Sequence, residues 1–316
     1  MLGTGPFGAP TFRELFGTHH EVAALVTSPA RVRRGKRIAP ASPVREIAYE
    51  HGVPIFDPED VNAPEARAKL AEFEADLLVV CDYGQILAAE TLACANLGGI
   101  NLHGSLLPSY RGAAPINWAL YHGETRTGVT VIHMTPRVDA GPCIAQAETE
   151  IGPDETAVEL EQRLSELGAW LVRRAIDALE AGRLEALPQD PARASKAPRL
   201  KKSDGAIDWS RPAEAIRNQV RAMEPWPKTF TFWHRAAAEP QRLILGPVDV
   251  VEPEGGRRDA EPGTAALVTK DRLVIAAGDR RGVSPRSVQP AGKRMLSIAE
   301  FLRGHAVQVG DRFGPE

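Results

Sequence analysis

Asn101 and His103 are separated by a single residue. In a strand, side chains alternate between faces, so this spacing puts an amide and an imidazole into one cleft. A carboxamide donor can stabilise a developing oxyanion and an imidazole can handle a proton, the two tasks of acyl transfer. A glycine-flanked turn follows at once, Gly104-Ser105-Leu106-Leu107-Pro108, and then Arg111-Gly112-Ala113-Ala114-Pro115. The bare Asn-x-His pair also fits a strand end whose polar groups only hydrogen-bond the next turn, and the spacing leaves both readings open.

Alternating apolar runs and helical patterns must position that pair. Val22–Val26, Val53–Phe56, Leu77–Cys81 and Gly128–Met134 read as strands. Val44–His51, Pro64–Glu74 and the long amphipathic Thr156–Glu180, with Gly182 as its stop, read as helices. Strands alternating with helices imply βαβ units and a mainly parallel sheet, with ligands at the carboxyl ends of strands. Asn101, His103 and Asp139 all fall at or just beyond such strands.

Residues 188–202 hold three prolines among basic residues and read as a linker. Beyond it come a helix over Pro212–Met223 and short apolar runs at Leu243–Leu245, Val248–Val251, Ala265–Val268 and Leu273–Ala276. Such short strands favour a small β-barrel. The expected architecture is α/β. A Rossmann-like, mainly parallel sheet domain spans 1–187, the basic linker spans 188–202, and an OB-like β-barrel domain spans 203–316.

At 316 residues the chain is too long for one small core, and 43% hydrophobic with 25% charged residues excludes general disorder. The sequence has neither an apolar run of membrane-spanning length nor a secretory h-region. Cys81, Cys94 and Cys143 are odd in number and widely spaced, reading as reduced thiols in a cytoplasmic protein. His19, His20 and His122 lack ligand partners at metal-like spacing, so no metal is expected. The net charge is −3, yet Arg31-Val-Arg33-Arg34-Gly-Lys36-Arg37 and the set Arg193, Lys196, Arg199, Lys201 and Lys202 are dense in cations. Two such segments in a slightly acidic chain point to a polyanionic partner. Gly3-Thr-Gly5-Pro-Phe-Gly8 spells G-x-G-x-x-G, but no acidic residue follows the next strand to hold a ribose, which argues against a dinucleotide site.

Asn101-x-His103, Ser105-Leu-Leu-Pro108, Arg111-Gly-Ala-Ala-Pro115 and Asp139-x-Gly141 together resemble the folate-dependent formyltransferase family. Tyr83-Gly-Gln85-Ile86-Leu87, Arg34-Gly35-Lys36, Leu200-Lys201-Lys202-Ser-Asp204-Gly205, Arg221-Ala-Met-Glu-Pro225-Trp226-Pro227 and Gln289-Pro-Ala-Gly292-Lys293 extend the resemblance over nearly the whole chain. The resemblance is to those members that move the formyl group of 10-formyltetrahydrofolate to the α-amine of methionine on initiator tRNA, for translation initiation. It implies Asn101, His103 and Asp139 as catalytic residues, with Asp139 holding His103 by a charge-assisted hydrogen bond. Ser105, Leu106, Leu107 and Pro108, with Gln85, Ile86 and Leu87, would contact the folate. A rigid turn at 105–108 and a structural Gln85 remain open beside that reading. Arg33, Arg34, Lys36 and Arg37 would reach the tRNA acceptor stem, with Lys201 and Lys202 adding tRNA contacts. A monomer without membrane partners or metal is implied.

Relatives carry several strand residues before the Gly-Thr turn, whereas this chain reads Met1-Leu2-Gly3. The expectation is a native start upstream, with Met1 internal to that strand. Two further functions compete. A formyltransferase acting on an amino-sugar nucleotide or purine precursor would not need the basic loop. An RNA-binding module on a dead scaffold would not need Asn101, His103 and Asp139.

Overall fold

A computed structural model describes residues 1–30, 42–235, 238–252 and 259–316. The chain divides into two compact units. The first comprises residues 1–115, 126–151 and 159–198, and the second 116–125, 152–158 and 199–316.

In the first unit the order is α1 (Ala9–Leu15), β1 (Leu25–Val26), α2 (Pro43–Glu50), β2 (Ile55–Phe56), α3 (Pro64–Ala71), β3 (Leu78–Val80), α4 (Ala89–Leu92) and β4 (Gly99–His103). After α5 (Pro115–His122), which belongs almost wholly to the second unit, come β5 (Arg126–His133), β6 (Cys143–Glu150) and α6 (Ala157–Glu180). β2 and β1 pair in parallel, Leu2 bridges both Val26 and Val80 in parallel, and β3 pairs in parallel with β4. β5 and β6 then add antiparallel strands beyond β4. The sheet is therefore mainly parallel with an antiparallel margin, and β4 lies where the direction changes.

The β4 sequence accounts for its place. Ile100 and Leu102 are buried on one face, leaving Asn101 and His103 for the other. Gly168 of α6 lets the helix approach closely, because a Cβ there would lie 2.4 Å from Leu102 Cδ2. Leu160, Leu164, Leu171, Val172, Ala175 and Ile176 recur at helical spacing along the buried stripe of α6. The leucine, valine and isoleucine side chains among them each contribute roughly 1.5–3 kcal/mol of burial. The helix stops at Gly182, whose φ of +62° suits a residue without Cβ.

The second unit contains α7 (Ala213–Ala222), β7 (Thr229–Arg235), β8 (Ala238–Leu245), β9 (Val248–Val251), β10 (Ala265–Val268), β11 (Leu273–Ala276), β12 (Gly282–Pro285), β13 (Ser287–Pro290), β14 (Leu296–Ser297), α8 (Ile298–Gly304) and β15 (Arg312–Gly314). Its strands form two antiparallel sheets, β10-β11-β12-β9 and β14-β13-β8-β7-β15. Both surround one core that includes Trp209, Ile216, Trp233, Leu245, Ile275, Val283 and Phe301, a barrel-like arrangement. Among the described residues, no helix is long and apolar enough to cross a membrane.

The segment expected as a basic linker over 188–202 is divided between the two units. Residues 188–198 belong to the first unit, and their backbone is tied down. Arg111 N donates to Ser195 O at 2.9 Å, Ala197 N to Arg111 O at 2.7 Å and Ala114 N to Ala197 O at 3.2 Å. Prolines and cations made this stretch look loop-like, but its exposed-looking composition covers a strand-like pairing with residues 111–114. The boundary thus falls after Pro198.

Candidate active site

The site forms at the carboxyl end of β4, where residues 104–114 and the loop from β5 to β6 converge. His103 is 5% exposed and Asn101 is half-buried. Both face Asp139 in the β5–β6 loop. Asn101 Nδ2 lies 3.5 Å from Asp139 Oδ1, at the outer limit of a hydrogen bond, and His103 Nδ1 lies 3.6 Å from Asp139 Oδ2.

The expected charge-assisted hydrogen bond between His103 and Asp139 is therefore a longer electrostatic contact. The imidazole is oriented instead by its other nitrogen, with Nε2 donating to the Tyr110 carbonyl at 2.9 Å. A carbonyl only accepts, so Nε2 carries a proton and Nδ1 is the nitrogen turned to Asp139. Tyr110 has φ +63° and Asp139 φ +47°, both in the left-handed region that is costly for residues with a Cβ. The backbone is thus bent at the two points that present a carbonyl and a carboxylate to His103.

Residues given no site role from the sequence complete the arrangement. Gly112 N donates to Asp139 Oδ2 at 2.9 Å. Gln189 Nε2 donates to the carbonyls of Asp139 and Gly141 at 2.8 and 2.7 Å, and its Oε1 accepts from Arg111 Nε and Nη2 at 3.0 and 2.7 Å. One side chain so ties the Asp139 loop to the Arg111 loop. Gly141 is needed where that loop folds back, since a Cβ would lie 1.7 Å from His133 O.

The residues expected to contact folate separate into two groups. Ser105 is fully buried, and its Oγ donates to Ser109 O at 2.6 Å. Thr130 Oγ1 donates to Ser105 O and accepts from Leu107 N, so the turn is braced against β5. Leu107 and Leu87 are buried, whereas Leu106 and Pro108 are half-buried and Ile86 is 62% exposed. Gln85 accepts from Val61 N at 2.9 Å and donates to Pro58 O at 3.4 Å, which is the structural role left open in the sequence. Tyr83 packs in the core, and burial pushes its hydroxyl up to about 12. Nearby, Asp82 has an exposed edge, but packing around its carboxylate pushes its pKa up to about 6. His133 is half-buried and burial lowers its pKa, in keeping with a strand residue.

Arg33, Arg34, Lys36 and Arg37 lie outside the described residues. Lys201 and Lys202 are exposed at the turn Lys202–Gly205 of the second unit.

Comparison with known proteins bears on the family and the fold. Residues 1–176 match the formyl transferase family model, and residues 199–306 match the formyl transferase C-terminal domain. A methionyl-tRNA formyltransferase of Rhodopirellula baltica is 44% identical, covering 99% of this chain and 95% of that protein. Another, from Symbiobacterium thermophilum, is 41% identical, covering 100% and 94%. Among solved structures, an N-formyltransferase from Helicobacter canadensis in complex with folinic acid and dTDP-3-aminofucose superposes with a TM-score of 0.65. That match covers 90% of this chain and 97% of the other at 16% identity, and so speaks for the fold alone.

Proposed function

The chain belongs to the formyl transferase family across both of its domains, and from that membership we propose that it transfers the formyl group of 10-formyltetrahydrofolate to the α-amine of methionyl-initiator tRNA. The product is N-formylmethionyl-tRNA for translation initiation. The observation that carries this reading is the convergence of Asn101, His103 and Gly112 N on the Asp139 carboxylate, in a chain similar over its full length to enzymes of that name.

In this reaction a neutral amine attacks the formyl carbon, and the tetrahedral oxyanion collapses by expelling N10 of the folate. An amide nitrogen has two hydrogens, so Asn101 can direct one toward Asp139 and the other at the oxyanion. A donor in that position is worth roughly 3–4 kcal/mol. His103 is held by Tyr110 O at Nε2, and its Nδ1, facing Asp139 Oδ2, takes the proton that leaves the amine and passes it to N10 as the folate departs. Asp139 balances the charge that develops on the ring. The mechanism needs no enzyme-bound acyl intermediate. Leu106, Pro108 and Ile86 offer accessible apolar surface for the folate. Ser105, Leu107, Leu87 and Gln85 hold the backbone of those loops.

Arg33, Arg34, Lys36 and Arg37 reach the acceptor stem in this reading, and Lys201 and Lys202 neutralise tRNA phosphates. The enzyme acts as a cytoplasmic monomer. An acceptor panel tests the assignment. With 10-formyltetrahydrofolate as donor, methionyl-initiator tRNA should be formylated with a far higher kcat/KM than an amino-sugar nucleotide. Transfer to the sugar amine and none to the tRNA would overturn it.

A further inference from the structure

His19 and His20 follow α1, and Asp177 and Glu180 lie in the last turn of α6, more than 150 residues later in the chain. The sequence separation hid these partners. The fold places one ligand-type atom from each of His19, His20 and Glu180 within 4.8 Å of one another. His19 Nε2 bonds the Glu180 carboxylate at 3.0 and 3.2 Å. His20 Nε2 is buried with no hydrogen-bond partner, 3.7 Å from Asp177 Oδ1. We propose that His19, His20 and Glu180 form a surface site for a divalent transition-metal ion, with Zn²⁺ the best fit.

Three observations carry this. Two imidazoles and one carboxylate are a donor set suited to Zn²⁺, which prefers nitrogen ligands and tetrahedral geometry, whereas Mg²⁺ prefers oxygens alone. Ligand atoms of a tetrahedral zinc centre stand about 3.3–3.5 Å apart on bonds of about 2.0–2.1 Å, so small side-chain rotations close the triangle. The carboxyl end of a 24-residue helix carries partial negative charge, yet its last turn holds acids and no basic residue. A bound cation offsets both the helix end and the paired carboxylates. Thr18 fixes the approach, with Oγ1 donating to Leu15 O at 2.7 Å and accepting from His20 N at 3.2 Å. The fourth position is left to water or to Asp177. His20 precedes β1 and so lies at the amino ends of the strands, whereas His103 lies at a carboxyl end. The site is distinct from the formyl-transfer centre and acts as a clamp between the α1–β1 connection and α6.

The test titrates the full chain, stripped with a chelator, with Zn²⁺, Co²⁺ and Mg²⁺ separately. One equivalent of Zn²⁺ should bind saturably and raise Tm, and Co²⁺ should give the visible absorption of a tetrahedral complex. Mg²⁺ should do neither. His19→Ala and Glu180→Gln alter exposed side chains, so the fold is expected to survive. Each should weaken Zn²⁺ at least tenfold and abolish the Tm shift, with formyl transfer unchanged. His20→Ala should act likewise if it folds. The absence of a saturable site, or binding that these variants leave intact, overturns the proposal.

Discussion

Gln189→Ala tests how the Asp139 carboxylate is held. The side chain makes four hydrogen bonds, two to the carbonyls of Asp139 and Gly141 and two from the Arg111 guanidinium. A neutral hydrogen bond contributes about 1 kcal/mol net and one to a charged group about 1.5–3. Gln189 is half-buried, so water replaces part of what is removed. A net loss of about 2 kcal/mol in holding the loop in its working conformation is therefore expected. At about 1.4 kcal/mol per factor of ten, kcat should fall roughly 10- to 30-fold. The acceptor KM should change little, because Gln189 acts through Asp139 and Gly141 rather than on substrate. Gln189→Glu is the sharper variant. It can still accept from Arg111 but sets a carboxylate oxygen against two carbonyl oxygens, and its kcat should fall at least as far. Steady-state kinetics with Tm measured in parallel separates a local effect from general unfolding. A Gln189→Ala enzyme with kcat within twofold of the parent would refute the claim that this residue positions Asp139.

Other outcomes follow from the same structure. Gly141→Ala should lower both stability and kcat, because its Cβ would meet His133 O at 1.7 Å and the Asp139 loop must move; thermal melts and kinetics check this. Trp233→Ala should cost about 3–5 kcal/mol in urea unfolding, since the ring is 1% exposed in the core of the second unit and its Nε1 bonds Asp311. Asp82 has its pKa raised from 3.8 to about 6 by burial, so folding holds a proton that the unfolded chain has released across that window. Stability is thus lost as pH rises through it. Asp82→Asn should raise Tm relative to the parent above pH 6, with the gain vanishing toward the ordinary carboxylate pKa, as melts across pH would show. Lys201→Ala with Lys202→Ala should reduce the salt dependence of tRNA binding, by about 0.7–0.9 in log-log slope for each phosphate no longer neutralised, with folate binding unchanged.

Period-two alternation made Asn101 and His103 legible in the sequence, because Ile100 and Leu102 had to be buried and the polar pair had to face the other way. Asp139 was marked only by its place beyond a strand, and its role came from resemblance, since a carboxylate in a loop 36 residues beyond His103 has no local signature. Tyr110 and Gly112 act through a backbone carbonyl and a backbone N–H, which any residue type supplies. Gln189 was hidden for another reason. It lies 50 residues from Asp139, in a stretch whose prolines and cations read as linker, and the pairing of Leu187 with Cys143 and of residues 195–197 with 111–114 brings it back. In the barrel-like unit, Val248–Val251, Ala265–Val268 and Leu273–Ala276 were marked by their apolar runs. β12 and β13 were not, because Gly282, Pro285 and Pro290 interrupt the pattern with residues that usually signal turns.

Single-turnover formyl transfer from 10-formyltetrahydrofolate to methionyl-initiator tRNA, with folate binding measured alongside, tests the central claim most directly. If Asn101, His103 and Asp139 act on the tetrahedral oxyanion and its proton, Asn101→Ala, His103→Ala and Asp139→Asn should each slow the chemical step by about 10²–10³-fold while folate affinity stays close to the parent's. Variants that bind folate and transfer formyl at the parental rate would contradict the account.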